Sequence, residues 1–140
     1  MIAPPDKNPP ARQDPRERSQ ARRRQAFVLG LRSETAAVFW LRLKGYSILS
    51  RRYTGAGGEI DIVAARGDTI AFVEVKARPS LELASTAITY EKRKRMSRAA
   101  RHWLARHPRV EGKTWRGDAV FLAPWRWPRH EPGIIELDIF

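Results

Sequence analysis

Two β-rich runs, Glu59–Arg66 and Thr69–Ala77, are separated only by Gly67-Asp68. A short glycine-containing connection between such runs signals a hairpin, and a hairpin sets the pairing of every residue in it. With Gly67 and Asp68 as the turn, Arg66 faces Thr69, Asp61 faces Glu74 and Glu59 faces Lys76. A four-residue loop centred on the same point gives the same pairs; a three-residue loop does not. The period of two then places Glu59, Asp61 and Val63 on one side with Phe72, Glu74 and Lys76. Ile60, Ile62, Ala64, Ala71, Val73 and Val75 occupy the other side, which reads as nearly pure core.

Elements on either side of the hairpin complete one domain. A helical pattern runs from about Leu31 to Lys44, with Ala37, Val38 and Leu41 on one stripe and Gly45 as its stop signal. Tyr46–Tyr53 reads as a strand and the glycine-rich segment 54–58 as a loop. A second helix is expected from about Thr86 to His107, with Met96, Ala99, Ala100, Trp103 and Leu104 as its apolar stripe. Two final strands, about Lys113–Ala123 and Gly133–Phe140, follow. The order α-β-β-β-α-β-β predicts an α/β fold, a mixed β-sheet flanked by helices. Its 140 residues suffice for one core and not for two. Residues 1–24 hold half of the ten prolines and no apolar periodicity, so they are expected to form a disordered basic tail, leaving 25–140 as the single domain.

Charge and composition narrow the function. The net charge is +12, and the tail carries only seven basic and three acidic residues, so most of the excess belongs to the folded part. That excess favours a polyanion, nucleic acid first among them. The chain has no cysteine, which excludes thiolate chemistry and disulfides. His102, His107 and His130 show no zinc spacing and read as surface residues. The absence of an apolar run of about 20 residues and of a secretory signal points to a cytoplasmic protein with no membrane partner.

Two carboxylates placed opposite each other repel unless something positive lies between them. Lys76 is one candidate and a divalent cation another; hard oxygen ligands of this kind suit Mg²⁺ or Mn²⁺. The residues alone fit two readings: a solvated strand face with an Asp/Glu/Lys ion-pair ladder, or a metal-dependent phosphoryl-transfer site.

The wording of the two strands adds to this. Gly58-Glu-Ile-Asp-Ile-Val63 followed by Phe72-Val-Glu-Val-Lys-Ala-Arg78 resembles the YraN-like (UPF0102) family, whose hallmark is a GEIDLIA-like strand followed by a VFVEVK-like strand. The resemblance runs from about Leu29 to Phe140 and includes Glu34, Gly45-Tyr-Ser-Ile-Leu49 and Arg116-Gly-Asp118. The family looks like a branch of the restriction-endonuclease-like PD-(D/E)xK superfamily, similar in layout to archaeal Holliday-junction resolvases. The resemblance implies that Asp61 and Glu74 bind metal, that Lys76 assists catalysis, and that the backbone carbonyl of Val75 and the Glu34 carboxylate complete the site. It also leaves room for a homodimer. Ile60 stands where the superfamily's name implies proline, and Gly117 where the family usually has phenylalanine.

Glu34 has an argument of its own. It shares a helical face with Ala37, Val38 and Leu41, where a carboxylate is costly unless paired or metal-bound. The other reading is that it follows a Ser33 cap and complements the helix dipole. On the second helix, Lys92, Lys94, Arg95, Arg98 and Arg101 are candidates for phosphate contacts, with Lys94, Arg98 and Arg101 on one face. Trp125 and Trp127 alternate with Arg126 in a proline-bounded loop; they fit either base stacking or a cap on the core. The expected function is a Mg²⁺- or Mn²⁺-dependent endonuclease hydrolysing phosphodiester bonds in DNA, by resemblance in branched or single-stranded regions. The alternatives are a non-catalytic nucleic-acid-binding protein with a nuclease-like fold and a ribosome-associated basic protein bound through its tail.

Overall fold

The computed structural model describes residues 14–139. A long helix α1 (Pro15–Leu43) leads into strands β1 (Ser47–Gly55), β2 (Gly58–Arg66) and β3 (Thr69–Ala77). A short helix α2 (Leu81–Ser85) and helix α3 (Tyr90–Ala105) then cross to β4 (Thr114–Leu122) and β5 (Arg129–Ile135). The five strands lie in sequence order, with β3 and β4 parallel and every other neighbouring pair antiparallel. The expected α/β class and mixed sheet are therefore present, with α2 as an addition.

Helix α1 begins well before Leu31. Asp14 caps it by accepting from the Arg16 N–H at 2.9 Å, Pro15 takes the first turn and Glu17 complements the dipole. Residues 15–24 are thus helical rather than irregular, though all exposed, because arginine, glutamine and alanine hold a helix without needing an apolar stripe. The expectation of disorder over residues 1–13 lies outside the described residues. The segment 54–58 is no open loop either. Ala56 and Gly57 both have positive φ, as a two-residue type I′ turn requires, so β1 and β2 pair up to Gly55–Gly58. The last strand begins at Arg129, not Gly133, and the second helix at Tyr90, where Thr89 accepts from the Lys92 N–H at 3.2 Å.

The hairpin register holds for five pairs, from Arg66–Thr69 to Ile62–Val73. Both faces of this hairpin are buried. Ala37, Val38 and Leu41 of α1 cover Ile62, Ala64, Ala71 and Val73, while Ala99, Ala100 and Trp103 of α3 cover Val63, Ile70 and Phe72. The side expected to be charged is apolar under α3 and becomes polar only towards its end, at Asp61 and Glu74. Alternation breaks there: Ile60 joins Val63 under α3 instead of Ile62 under α1.

Gly58, at the tip of the β1–β2 hairpin, explains how that tip can lie against α3. A Cβ at Gly58 would lie 1.9 Å from the Arg95 carbonyl oxygen, backbone against backbone. Gly58→Ala is expected to cost about 1–3 kcal/mol, read as a lower denaturation midpoint in urea; an unchanged midpoint would mean that the hairpin tip stands clear of the helix.

Candidate active site

At Ile62 the β2–β3 ladder ends and a side chain replaces the backbone. Asp61 Oδ2 accepts the Val75 N–H at 2.7 Å. The opposing position on β1 is also irregular: Arg52 has φ 51°, a left-handed conformation that costs a non-glycine residue about 1–2 kcal/mol. On a regular strand neighbouring side chains point to opposite faces. Here Arg51 Nε (3.2 Å) and Arg52 Nε (2.8 Å) both reach the buried Glu34 carboxylate on α1. The strain at Arg52 is thus coupled to pairing that carboxylate.

Glu74 is the centre of the site. It is only 1% exposed. Its Oε1 lies 3.2 Å from Lys76 Nζ and 3.4 Å from Lys92 Nζ, and Lys92 also holds Glu59 at 2.9 Å. Its Oε2 is buried and meets no donor among the described residues. Burial, reinforced by the Asp61 charge, pushes the Glu74 carboxyl up to about 7 against the pull of Lys92 and Lys76. Asp61 is also raised, chiefly by burial, with the Val75 N–H and Lys92 opposing and Glu34 adding a small push. Two adjacent carboxyls, one fully buried and one half-buried, favour one proton held between them or a cation in its place. Lys92 loses hydration, but Glu74, Glu59 and Asp61 outweigh that and hold it above its ordinary value.

Asp61, Glu74 and Lys76 are therefore brought together, and the Val75 backbone meets Asp61 through its N–H. Glu34 stands close enough to influence Asp61 but is engaged by arginines. Among the described residues, no group of three or more histidine, aspartate or glutamate side chains is arranged around a common metal position. The expected Glu59–Lys76 pair does not form, because the ladder has ended and Lys92 takes Glu59. Lys92 itself leaves the basic face for the carboxylates. Nothing in its local spacing marks it for this; it follows from the crossing of α3 over the end of the hairpin.

Three of the remaining basic candidates stay together. Lys94, Arg98 and Arg101 line a groove of about 620 Å³ between α3 and residues 136–138, with Tyr90 and Ser97. Arg101 Nη1 donates to the Asp138 carbonyl at 2.7 Å, and Lys94 Nζ sits 4.4 Å above the Tyr90 ring. Arg95 is exposed too, but its charge acts on Glu59 at the hairpin side of the helix.

The histidines depart from the expectation of surface residues. His102 Nδ1 is hydrogen bonded to the Tyr53 hydroxyl. His107 stacks on Trp103 at 3.9 Å between ring centroids, and His130 bonds the buried Asp118 carboxylate at 2.7 Å.

The model of uncharacterised protein family UPF0102 matches residues 33–122, a span that contains Glu34, Asp61, Glu74, Lys76 and all of α3. The chain belongs to the UPF0102 family. A UPF0102 protein of Methylocella silvestris is 60% identical over 116 residues, covering 83% of this chain and 94% of the relative. Another, of Methylorubrum extorquens, is 58% identical over 118 residues, 84% and 92% of the two chains. A third, of Paramagnetospirillum magneticum, is 45% identical over 129 residues, 89% and 96%. UPF0102 membership thus covers the whole carboxylate site. No helix among the described residues is long and apolar enough to cross a membrane.

Proposed function

We propose that this UPF0102 protein is a Mg²⁺- or Mn²⁺-dependent endonuclease that hydrolyses phosphodiester bonds in DNA. The observation that carries the reading is the Asp61–Glu74 pair, in which the half-buried Asp61 stands beside a fully buried Glu74 whose Oε2 meets no donor among the described residues. A divalent cation fits that donor set, since Mg²⁺ and Mn²⁺ take one or two carboxylates and fill their remaining positions with water and substrate oxygens. Asp61 and Glu74 would hold the ion, with the Val75 backbone beside them and Glu34 in support. The ion supplies Lewis acidity to a phosphate ester.

The protein's own groups do the rest. Lys76 Nζ, anchored 3.2 Å from Glu74, is placed to stabilise charge that grows on the phosphate oxygens or to orient the attacking water. Val63 and Phe72, two residues along the same strands from Asp61 and Glu74, are fully buried against α3. Lys94, Arg98 and Arg101 provide a cationic track for the backbone phosphates. The reading is the one that the resemblance of the strand motifs to the PD-(D/E)xK pattern implies.

A second reading has one observation in its favour. Lys76 and Lys92 already balance Glu74, and two arginines already balance Glu34. A chain neutralised in this way suits a non-catalytic nucleic-acid-binding protein. Branched, single-stranded and duplex DNA incubated with Mn²⁺ separate the two. Wild type is expected to cut at least one of them, and Asp61→Ala and Lys76→Ala to bind it equally but cut it roughly a hundredfold more slowly. Salt-sensitive binding without cleavage of any substrate would select the binding protein instead.

A further inference from the structure

The loop between β4 and β5 takes no part in the carboxylate site. Trp125 is fully exposed and Trp127 is 81% exposed. Two indoles in water forgo the largest apolar burial available to any side chain, so the core-cap reading of this loop does not hold. The backbone is shaped around the display. A turn from Ala123 to Arg126 closes with the Arg126 N–H on the Ala123 carbonyl at 3.4 Å, and Trp125 within it has φ 60°. Glycine is the residue that takes this conformation without steric cost. Trp127 leans on Trp40 of α1, with ring centroids 5.9 Å apart, which steadies it while leaving most of its surface open.

The loop also has a significant position. Lys76 pairs with Phe121 and Ala77 with Leu122 in the parallel β3–β4 ladder, and the Arg78 N–H donates to the Leu122 carbonyl at 3.1 Å. The chain therefore leaves β4 for the tryptophans at the same end of the sheet that carries Lys76. Arg126, exposed, stands between the two tryptophans in the sequence, and Arg32 lines the groove beside Trp127 and Phe39.

We propose that Trp125 and Trp127 form a stacking platform for unpaired nucleic-acid bases, held at the Lys76 end of the sheet. A base offers a π-face to an indole only when it is unpaired or at a helix end, and stacking of this kind tolerates any sequence. Charge decides against a second copy of the chain as the occupant. Two molecules of net charge +12 would bring Arg32 and Arg126 against their own counterparts, whereas a phosphate backbone complements them. The inference rests on the proposed function only in taking nucleic acid as the ligand; it requires no turnover.

The test is binding of the full chain to labelled oligothymidylate and to a blunt duplex, in EDTA, by fluorescence anisotropy. Trp125→Gly and Trp127→Ala are each expected to weaken oligothymidylate binding about tenfold and to leave duplex binding within about twofold. Trp125→Gly should at the same time keep or raise the melting temperature, because glycine relieves the left-handed backbone. A structural role predicts the reverse, so a fall in melting temperature with Trp125→Gly would overturn the platform. Unchanged oligothymidylate affinity in both variants would overturn it too, while leaving the nuclease reading intact. A wild-type dimer that dissociates on Trp127→Ala, seen by sedimentation, would replace the platform with self-association. Failure of wild type to bind any nucleic acid at low salt would remove both the platform and the functional reading.

Discussion

Replacing Glu74 with glutamine is expected to abolish metal-dependent cleavage, roughly a thousandfold, and to stabilise the protein above pH 7. The two effects have one cause. Burial beside Asp61 lifts the Glu74 carboxyl from 4.5 to about 7, so the folded state binds its proton more tightly than the unfolded state does. Stability tied to that proton is fully present below the unfolded value and is lost as pH rises through the folded one. The loss above pH 7 amounts to about 3 kcal/mol for this displacement. Glutamine keeps the neutral shape at every pH and removes the loss. Wild type should therefore be most stable on the acid side of neutrality with respect to this group, and Glu74→Gln should lack that decline above pH 7. On the proposed function Mn²⁺ enters the same balance, since it would replace the proton and bind the folded form. It should raise the melting temperature of wild type at pH 8 and leave Glu74→Gln unmoved. A variant less stable than wild type at pH 8 would show that Lys76 and Lys92 make Glu74 a structural ion pair, and the site would lose its claim to chemistry.

How much of this was legible beforehand depends on the range over which each cause acts. The hairpin pairing followed from two turn residues and a period of two, and it is correct for as long as the backbone ladder runs. It fails where Asp61 substitutes its side chain for a backbone acceptor. That kink, with Arg52 on the neighbouring strand, arises from three elements meeting at Glu34 and is written in none of them alone. The apolar stripes of both helices were readable from their spacing. That they clamp opposite faces of the same hairpin is not in the spacing, so the burial of Val63 and Phe72 under α3 does not follow from the strand pattern. Lys92 shows the same limit: by composition it is one more cation on a basic helix, and only the crossing of α3 over the strand ends makes it a partner of Glu74. The early start of α1 was in plain view in Asp14-Pro15-Arg-Glu17, and proline content hid it.

Asp118 gives the opposite case to Glu74, and the contrast tests the assignment of each. It is also fully buried, but four donors meet it: Arg116 through Nε (2.7 Å) and Nη2 (2.8 Å), His130 Nε2 (2.7 Å) and the Gly133 N–H (2.9 Å). Arg116 continues to the Tyr46 hydroxyl at 2.7 Å, and His130 to Lys44, so one carboxylate ties β4 and β5 to the end of α1. Gly117 makes room for this closure, since a Cβ there would strike the Ile135 carbonyl of β5 at 2.3 Å. Burial works against the Asp118 charge, but the hydrogen bonds from His130, Arg116 and Gly133 outweigh it and hold the carboxyl below its ordinary value. Its stabilisation is therefore present above the unfolded value, near 3.8, and is lost as pH falls through the lower folded one. Asp118→Ala removes the acceptor and leaves an arginine and a buried imidazole without it, which is expected to cost about 3–5 kcal/mol, seen as a large drop in the urea midpoint at pH 7. The deficit should shrink as the pH is lowered below 4, because wild type is then losing the same contribution. If Asp118→Ala instead proved as stable as wild type at pH 7, burial of a carboxylate in this fold would carry no information about its partners. The inference that an unsatisfied Glu74 marks a working site would then fall with it.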